Sequence, residues 1–290
     1  MSIRFDDRVV LITGAGGGLG RSYAVLLGAL GASVVVNDLG TDPSGEAPGT
    51  SAAAESVVDE ITAAGGRAVA NADDVSTEQG AAACVKTAVN AFGRLDVVVN
   101  NAGINPESEF ETTSRAMLER VMAVHIGGTW GVTQAAWRHF REQGYGRVVI
   151  TSSGSIYQGF GNRPTYVLAK AALYGLVRDL AVEGAPFGIQ TNGLFPGAST
   201  RMSSPGRLPM EWTTEVVAPV VAALSHESCP LNGEMIETRG GEVRRLFMAR
   251  TPGIEVDAAQ LTPDIVLARM DEIMAVDGAQ PGALVHLRRA

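Results

Sequence analysis

Apolar residues fall into short unbroken runs rich in Val and Ile: RVVLIT at 8–13, SVVVN at 33–37, LDVVVN at 95–100 and GRVVIT at 146–151. A strand with one wet face alternates polar and apolar positions. These runs do not, and they predict strands buried on both faces. Between them apolar residues recur at helical spacing over 19–30, 51–64, 76–92 and 113–142, and a third strand precedes NADDVS. A further strand and helix follow at 189–195 and 213–227, then a last short strand near 233–237. Strand alternating with helix predicts a doubly wound, Rossmann-like α/β fold: a parallel sheet wrapped on both faces. Residues 39–52, LGTDPSGEAPGTSA, are rich in Gly, Pro and Ser and read as a long loop, a candidate cover for a nearby site. Beyond residue 250 the strand pattern ends, and TPDIVLARMDEIM reads as one helix with Thr262 as N-cap and Pro263 in its first turn. The expected organisation is one domain over 1–250 and a C-terminal helical extension over 251–290 packed on it.

Composition narrows the function classes. With 46% hydrophobic and 19% charged residues, the 290-residue chain buries a large core. Its net charge of -8 and the absence of any basic run argue against nucleic-acid and membrane partners. MSIRFDDRVV is too charged for a signal peptide and no uncharged run is long enough to span a bilayer, so a cytoplasmic protein is expected. Cys84 and Cys229 lie far apart, without a CxxC or clustered histidines, and are read as two buried thiols with no metal site.

The first strand runs into TGAGGGLG, residues 13–20. Glycines at a strand-to-helix turn let backbone N–H groups approach a pyrophosphate, which the helix N-terminus also favours. The register is T-G-x-x-x-G-x-G rather than G-x-G-x-x-G, with Gly14, Gly18, Leu19 and Gly20 as the candidate contacts; the alternative is a tight connection only. Asp38 follows Gly20 by 18 residues at the end of the second strand, near the spacing at which a carboxylate accepts from adenosine ribose hydroxyls. It would repel a 2′-phosphate. No Lys or Arg occurs from Ser22 to Gly66, which favours NAD over NADP, with Arg21 as the possible exception. Two readings stay open nearby: Asp38 as a turn residue, and Asp74, next to Val75, as either an adenine contact or the cap of the following helix.

The chain has two lysines against 21 arginines, and one of them, Lys170, stands in GNRPTYVLAK four residues after Tyr166. Four residues on a helix is one turn on one face. Making a tyrosine a base near pH 7 takes about 3 pK units, or roughly 4 kcal/mol, and a charge about 4 Å away at an effective dielectric of 20 supplies that much. A compact ammonium suits the role better than a planar guanidinium. Strand GRVVIT continues into TSSGS, which puts Ser153 13 residues ahead of Tyr166 at the sheet's carboxyl edge. Ser152 and Ser155 are the competing hydroxyls.

TGAGGGLG, NNAG at 100–103, Ser153, and Tyr166 with Lys170, in that order, resemble the short-chain dehydrogenase/reductase family. The resemblance implies a sheet of about seven strands, Tyr166 as general acid/base, Ser153 positioning the substrate oxygen and Lys170 holding the nicotinamide ribose. It further implies that Asn101, with Ala102 and Gly103, braces the central strand by the cofactor, and that PGAST at 196–200 contacts the carboxamide through Pro196, Gly197 and Thr200. A closer similarity covers nearly the whole chain. VVVNDLG, GGRAVANADDV, VHIGGTW, GRVVITSSGSIYQGFGN, VAPVVAALSHESC and TPDIVLARMDEI resemble the (3R)-hydroxyacyl-CoA dehydrogenase domain of peroxisomal multifunctional enzymes of type 2.

That likeness implies an acyl-CoA substrate, with a steroid or other cyclic alcohol as the alternative and a non-catalytic NAD sensor as the rival from another class. The chain departs from the broad family at His125, where an Asn usually helps hold a relay water; His125 is read either as a relay member or as a core histidine bonded to backbone. It also stops at HLRRA without an SKL-type ending and is expected to stand alone. Met202, Leu208, Met210 and Trp212 are candidates to line the substrate pocket or to pack a helix, and Arg201 and Arg207 to meet CoA phosphates or solvent. The helices at 113–142 and 163–184 are the expected homodimer or homotetramer interface.

Overall fold

The computed structural model describes residues 3–42, 44–45, 49–200 and 209–284. The chain divides into two compact units, Met1–Arg245 and Leu246–Ala290. In the first, β1 (Val9–Thr13), β2 (Ser33–Asn37), β3 (Arg67–Asn71), β4 (Val97–Asn100), β5 (Gly146–Thr151), β6 (Ile189–Gly197) and β7 (Met235–Arg239) pair in parallel. With β8 (Glu242–Leu246) they form one sheet in the order β3-β2-β1-β4-β5-β6-β7-β8. The unbroken apolar runs are buried along their whole length in β1, β2, β4 and β5, as helices on both faces require.

The helices are α1 (Gly18–Ala29), α2 (Ala52–Ala63), α3 (Glu78–Phe92), α4 (Arg115–Met122), α5 (Gly128–Gln143), α6 (Ser155–Gln158), α7 (Pro164–Gly184) and α8 (Ala218–Ser225). Between β1 and β4 the strand order reverses, so the turns after these strands diverge and leave a crevice at their carboxyl ends. Register sharpens that edge: Thr13 lies opposite Asn37, and Asn37 opposite Asn71.

Three elements differ from the sequence expectation. The sheet has eight strands rather than about seven, because EVRRL returns through Gly240 and Gly241, both at positive φ, as a hairpin that must run antiparallel to β7. Its mostly exposed, charged side chains gave no apolar signal, as suits a sheet edge. The helix expected over 113–142 is two, α4 and α5, joined by a π-helical turn over Ala123–Gly127 that carries the buried His125. The helix expected over 213–227 shortens to a 3-10 turn at Thr214–Val216 followed by α8, with Pro219 in its first turn. Cys84 is buried as expected, but Cys229 is only partly so, since it lies in the loop after α8.

The second unit pairs β9 (Ala249–Arg250) antiparallel with β10 (Gln280–Pro281). Thr262 caps as expected, its hydroxyl accepting from Ile265 N at 3.4 Å, but the single helix breaks at Arg269 into α9 (Pro263–Ala268) and α10 (Met270–Met274). Arg269 leaves helical geometry at φ -110 and ψ 22.

Phe140 on α5 is fully buried against the start of β5, where even a Cβ on Gly146 would fall 2.5 Å from its ring. Phe140→Ala is expected to lower stability by about 3–5 kcal/mol in a urea titration, the cost of a buried aromatic and the cavity it leaves.

Candidate active site

The turns after β1, β2, β4, β5 and β6 converge on a cleft of about 500 Å³. At its deepest point the backbones after β1 and β4 nearly touch. The Thr13 hydroxyl accepts from Asn101 N and Ala102 N, both at 3.0 Å, and the Asn101 amide donates to the carbonyls of Thr13 and Gly14 at 3.1 and 3.0 Å. Gly14 adopts φ +64, and a Cβ there would lie 2.8 Å from Ala102 Cα, so only glycine fits.

Asp38 is fastened at both carboxylate oxygens: Gly16 N donates to Oδ2 at 2.8 Å and Gly40 N to Oδ1 at 2.7 Å. The turn-residue reading of Asp38 therefore holds in part, and each oxygen keeps further acceptor capacity on a residue that lines the cleft. Gly16 belongs to this arrangement although the motif register passes over it, since a Cβ there would meet Asp38 Cγ at 2.9 Å and Ala53 Cβ at 2.7 Å. The legible signal was a glycine at a position the motif leaves free. Gly18, Leu19, Gly103, Pro196, Gly197 and Thr200 also line the cleft. Gly20, expected as a cofactor contact, does not; it faces inward, where a Cβ would sit 2.2 Å from the Gly14 carbonyl oxygen. Asp74 and Val75 line the far end. The capping alternative for Asp74 is excluded, because Thr77 caps α3 by accepting from Gly80 N at 3.0 Å while Asp74 accepts from Ser76 N at 2.9 Å.

The opposite wall brings together Ser153, Tyr166, Lys170 and His125. The Ser153 hydroxyl bonds to Tyr166 and accepts from Ser155 N at 3.2 Å. Ser152, its competitor, is committed to the Lys170 carbonyl at 2.8 Å, and the Ser155 hydroxyl is buried without a partner among the described residues. Lys170 Nζ donates to the Thr151 carbonyl at 2.6 Å and lies 5.7 Å from the centre of the Tyr166 ring.

His125 Nε2 meets the Ile104 backbone, at 2.8 Å to its O and 3.1 Å to its N, while the ring stands edge-on to Tyr166 with centroids 5.5 Å apart. It is thus a backbone-bonded core histidine that also faces the site, and burial with the nearby Lys170 pushes its pKa down to about 3.

Electrostatics here depart from the sequence argument. Burial alone takes Lys170 down to about 7, so near neutrality the ammonium is partly discharged. Tyr166 is held above its ordinary value by burial, and the groups that pull it down are the Ser153 hydroxyl and the Arg163 guanidinium, not Lys170. The low dielectric that would strengthen a lysine's field also removes its charge. Arg163 was missed although it stands three residues ahead of Tyr166 in the same quoted stretch; nothing in a lone arginine before a proline announces that it is buried.

On the substrate side, Trp212 lines the cleft but Met210 is 88% exposed. Met202, Leu208, Arg201 and Arg207 lie outside the described residues. Leu39, Thr41, Asp42 and Gly45 of the 39–52 loop border the cleft, where a cover was expected.

Residues 8–207 match the family model described as short chain dehydrogenase. A short-chain type dehydrogenase/reductase of Mycobacterium tuberculosis is 46% identical over 279 residues, 95% of this chain and 96% of that protein. The peroxisomal multifunctional enzyme type 2 of Mus musculus is 44% identical over 277 residues, covering 93% of this chain but 37% of that enzyme. The crystal structure of a short chain dehydrogenase from Mycobacterium avium superposes with a TM-score of 0.81 at 36% identity, over 97% of this chain and 99% of that one.

The neutral His125 predicts a pH signature. Its folded pKa of about 3 lies below the unfolded value of about 6.5, so the unfolded chain binds the extra proton in that window and stability falls as pH drops through it. In denaturation at a series of pH values from 7 to 4, wild type is expected to lose up to about 1.4 kcal/mol more per pH unit than His125→Asn.

Proposed function

This chain belongs to the short-chain dehydrogenase family and is an oxidoreductase acting on CH–OH groups, and we propose that it oxidises (3R)-3-hydroxyacyl-CoA to the 3-oxo thioester with NAD. The alcohol chemistry is carried by one observation, the grouping of Ser153, Tyr166 and Lys170 on one wall of the cleft with Asp38 fixed at its other end. The acyl-CoA class rests on the similarity to multifunctional enzyme type 2 along 93% of this chain.

The residues fit a nicotinamide dinucleotide. Gly14, Gly17 and Gly18 line the cleft as bare backbone where a pyrophosphate would approach, and the Asp38 carboxylate keeps lone pairs for two ribose hydroxyls while opposing a 2′-phosphate. Arg21, the one cation that would have favoured NADP, is paired with Glu60 at 2.6 Å. When bound, the nicotinamide ring supplies the hydride acceptor.

The chain's own groups manage the proton. Ser153 holds the substrate oxygen beside Tyr166, whose phenolate takes the hydroxyl proton as the C–H bond gives up its hydride, the phenol's own proton having first left through the relay. Lys170, fixed by Thr151, binds the ribose. Because Nε2 of His125 is committed to Ile104, Nδ1 is the nitrogen through which this residue joins a proton relay from Tyr166. For assembly we propose α5 and α7 as the contact faces, where Trp130 and Leu168 stand half exposed.

The deciding measurement is NADH formation from NAD with matched (3R)- and (3S)-hydroxyacyl-CoA. A rate with the 3R isomer alone is expected, and Tyr166→Phe should lower it by about 10²–10⁴-fold. Turnover of sterols or cyclic alcohols in place of either thioester would move the substrate assignment to the steroid reading. Asp38→Ser is expected to raise kcat/KM with NADP relative to NAD by about tenfold or more, the loss of roughly 1.4 kcal/mol of discrimination.

A further inference from the structure

Arg163 stands at the N-cap position of α7, with Pro164 fixing the first turn and its own carbonyl accepting from Val167 N at 3.0 Å. It is only 6% exposed, and it lines the cleft together with Tyr166. Its guanidinium pairs with Glu107, whose side chain is 51% exposed. The loop bearing Glu107 is tied to the same corner, since Ser108 N donates to the Asn162 carbonyl at 3.0 Å.

A guanidinium stays protonated at any pH the protein meets, so this charge does not fade as that of Lys170 does. Arg163 and Tyr166 stand three residues apart at the start of one helix and line one cleft, and burial of the guanidinium reduces the screening of its field. Its partner carboxylate is half in water, where screening weakens it, and so the pair does not cancel at Tyr166.

We propose that Arg163 is a second cation that sets the acidity of the Tyr166 hydroxyl, and that Glu107 attenuates it. Arg163 is a positioning residue acting through Tyr166; it is not required to touch substrate. The proposal rests on the acid/base reading of Tyr166 for its consequence, not for its physics. The other groups around the phenol do not substitute. His125, from the π-helical turn, is neutral above about pH 3, and Lys170, one turn along α7, titrates near 7. Arg120 of α4 and Arg239 of β7 border the same cleft, and Glu237 of β7 is hydrogen-bonded by the Tyr157 hydroxyl of α6. The burial that raises Tyr166 is opposed by Arg163 and Ser153.

The test is an NMR titration of the full-length protein carrying ¹³Cζ-tyrosine, with the Tyr166 signal among the five tyrosines identified by its loss in Tyr166→Phe. Arg163→Gln is expected to move the Tyr166 midpoint up by about one pH unit. Glu107→Gln should move it down, and Arg163→Lys, whose ammonium loses its charge to burial as that of Lys170 does, should move it up with Arg163→Gln. Opposite shifts are what a field requires. If Arg163 were only a clamp for the loop, both neutral variants would break the same ion pair and move the midpoint the same way or not at all, and that result overturns the proposal. Glu107→Gln alters a half-exposed side chain, so it remains informative if Arg163→Gln folds poorly: an unchanged or raised midpoint there counts against the idea. No turnover enters this readout. Opposite NMR shifts in a protein inactive toward every alcohol would sustain the electrostatic proposal while removing the catalytic one; where turnover exists, the alkaline limb of log kcat/KM should follow the same order.

Discussion

Two strand ends, those of β1 and β4, are joined more closely than ordinary sheet pairing requires. Asn101 and Ala102 donate four hydrogen bonds to Thr13 and Gly14 across them, and the approach leaves no space for a side chain at Gly14. This contact sits where the strand order reverses, so it holds shut the floor of a crevice whose sides are forced apart by the topology. Everything chemical in the molecule is placed relative to it. Asp38 is reached through the backbone of the same glycine turn, and Ser153 leaves the next strand over, on the same carboxyl edge.

Burial governs the chemistry of the second wall. It makes the Tyr166 phenol a poorer acid, makes Lys170 a weaker cation and keeps His125 neutral, three shifts in which it is the largest cause. A guanidinium is the side chain that resists that cause, and Arg163 occupies the position from which it acts on the phenol. The π-helical turn belongs to the same arrangement. By interrupting a long helix at Ala123–Gly127 it brings His125 onto the Ile104 backbone and against the tyrosine ring, with Gly103 leaving the room: a Cβ there would fall 2.5 Å from His125 Cε1.

The fold was legible because unbroken runs of five or six residues rich in Val and Ile, too short for helices and separated by helical patterns, suit doubly covered strands. What escaped was polar by necessity. The hairpin strand EVRRL is a sheet edge, and its charges look like a loop in sequence. The break between α4 and α5 changes hydrogen-bond phase without any Pro, marked in the sequence by the Gly127-Gly128 pair at its end alone, so periodicity continues through it. At the site, Ser153, Tyr166 and Lys170 were singled out by their spacing and context and Asp38 by its place after β2, and all four line the cleft, whereas Gly20 packs on Gly14 and does not line it.

The sequence by itself determined the parallel sheet and the order of the motifs along it, and it singled out Tyr166 and Lys170 as a pair one helical turn apart, since these depend on short-range periodicity and spacing. Only the tertiary structure decided which charges survive around them. Ionisation depends on burial and on partners distant in sequence: Glu107 lies 56 residues before Arg163, and Ile104 lies 21 before His125. Neither separation leaves a trace in the local pattern, because the dielectric around a side chain is a property of everything packed against it.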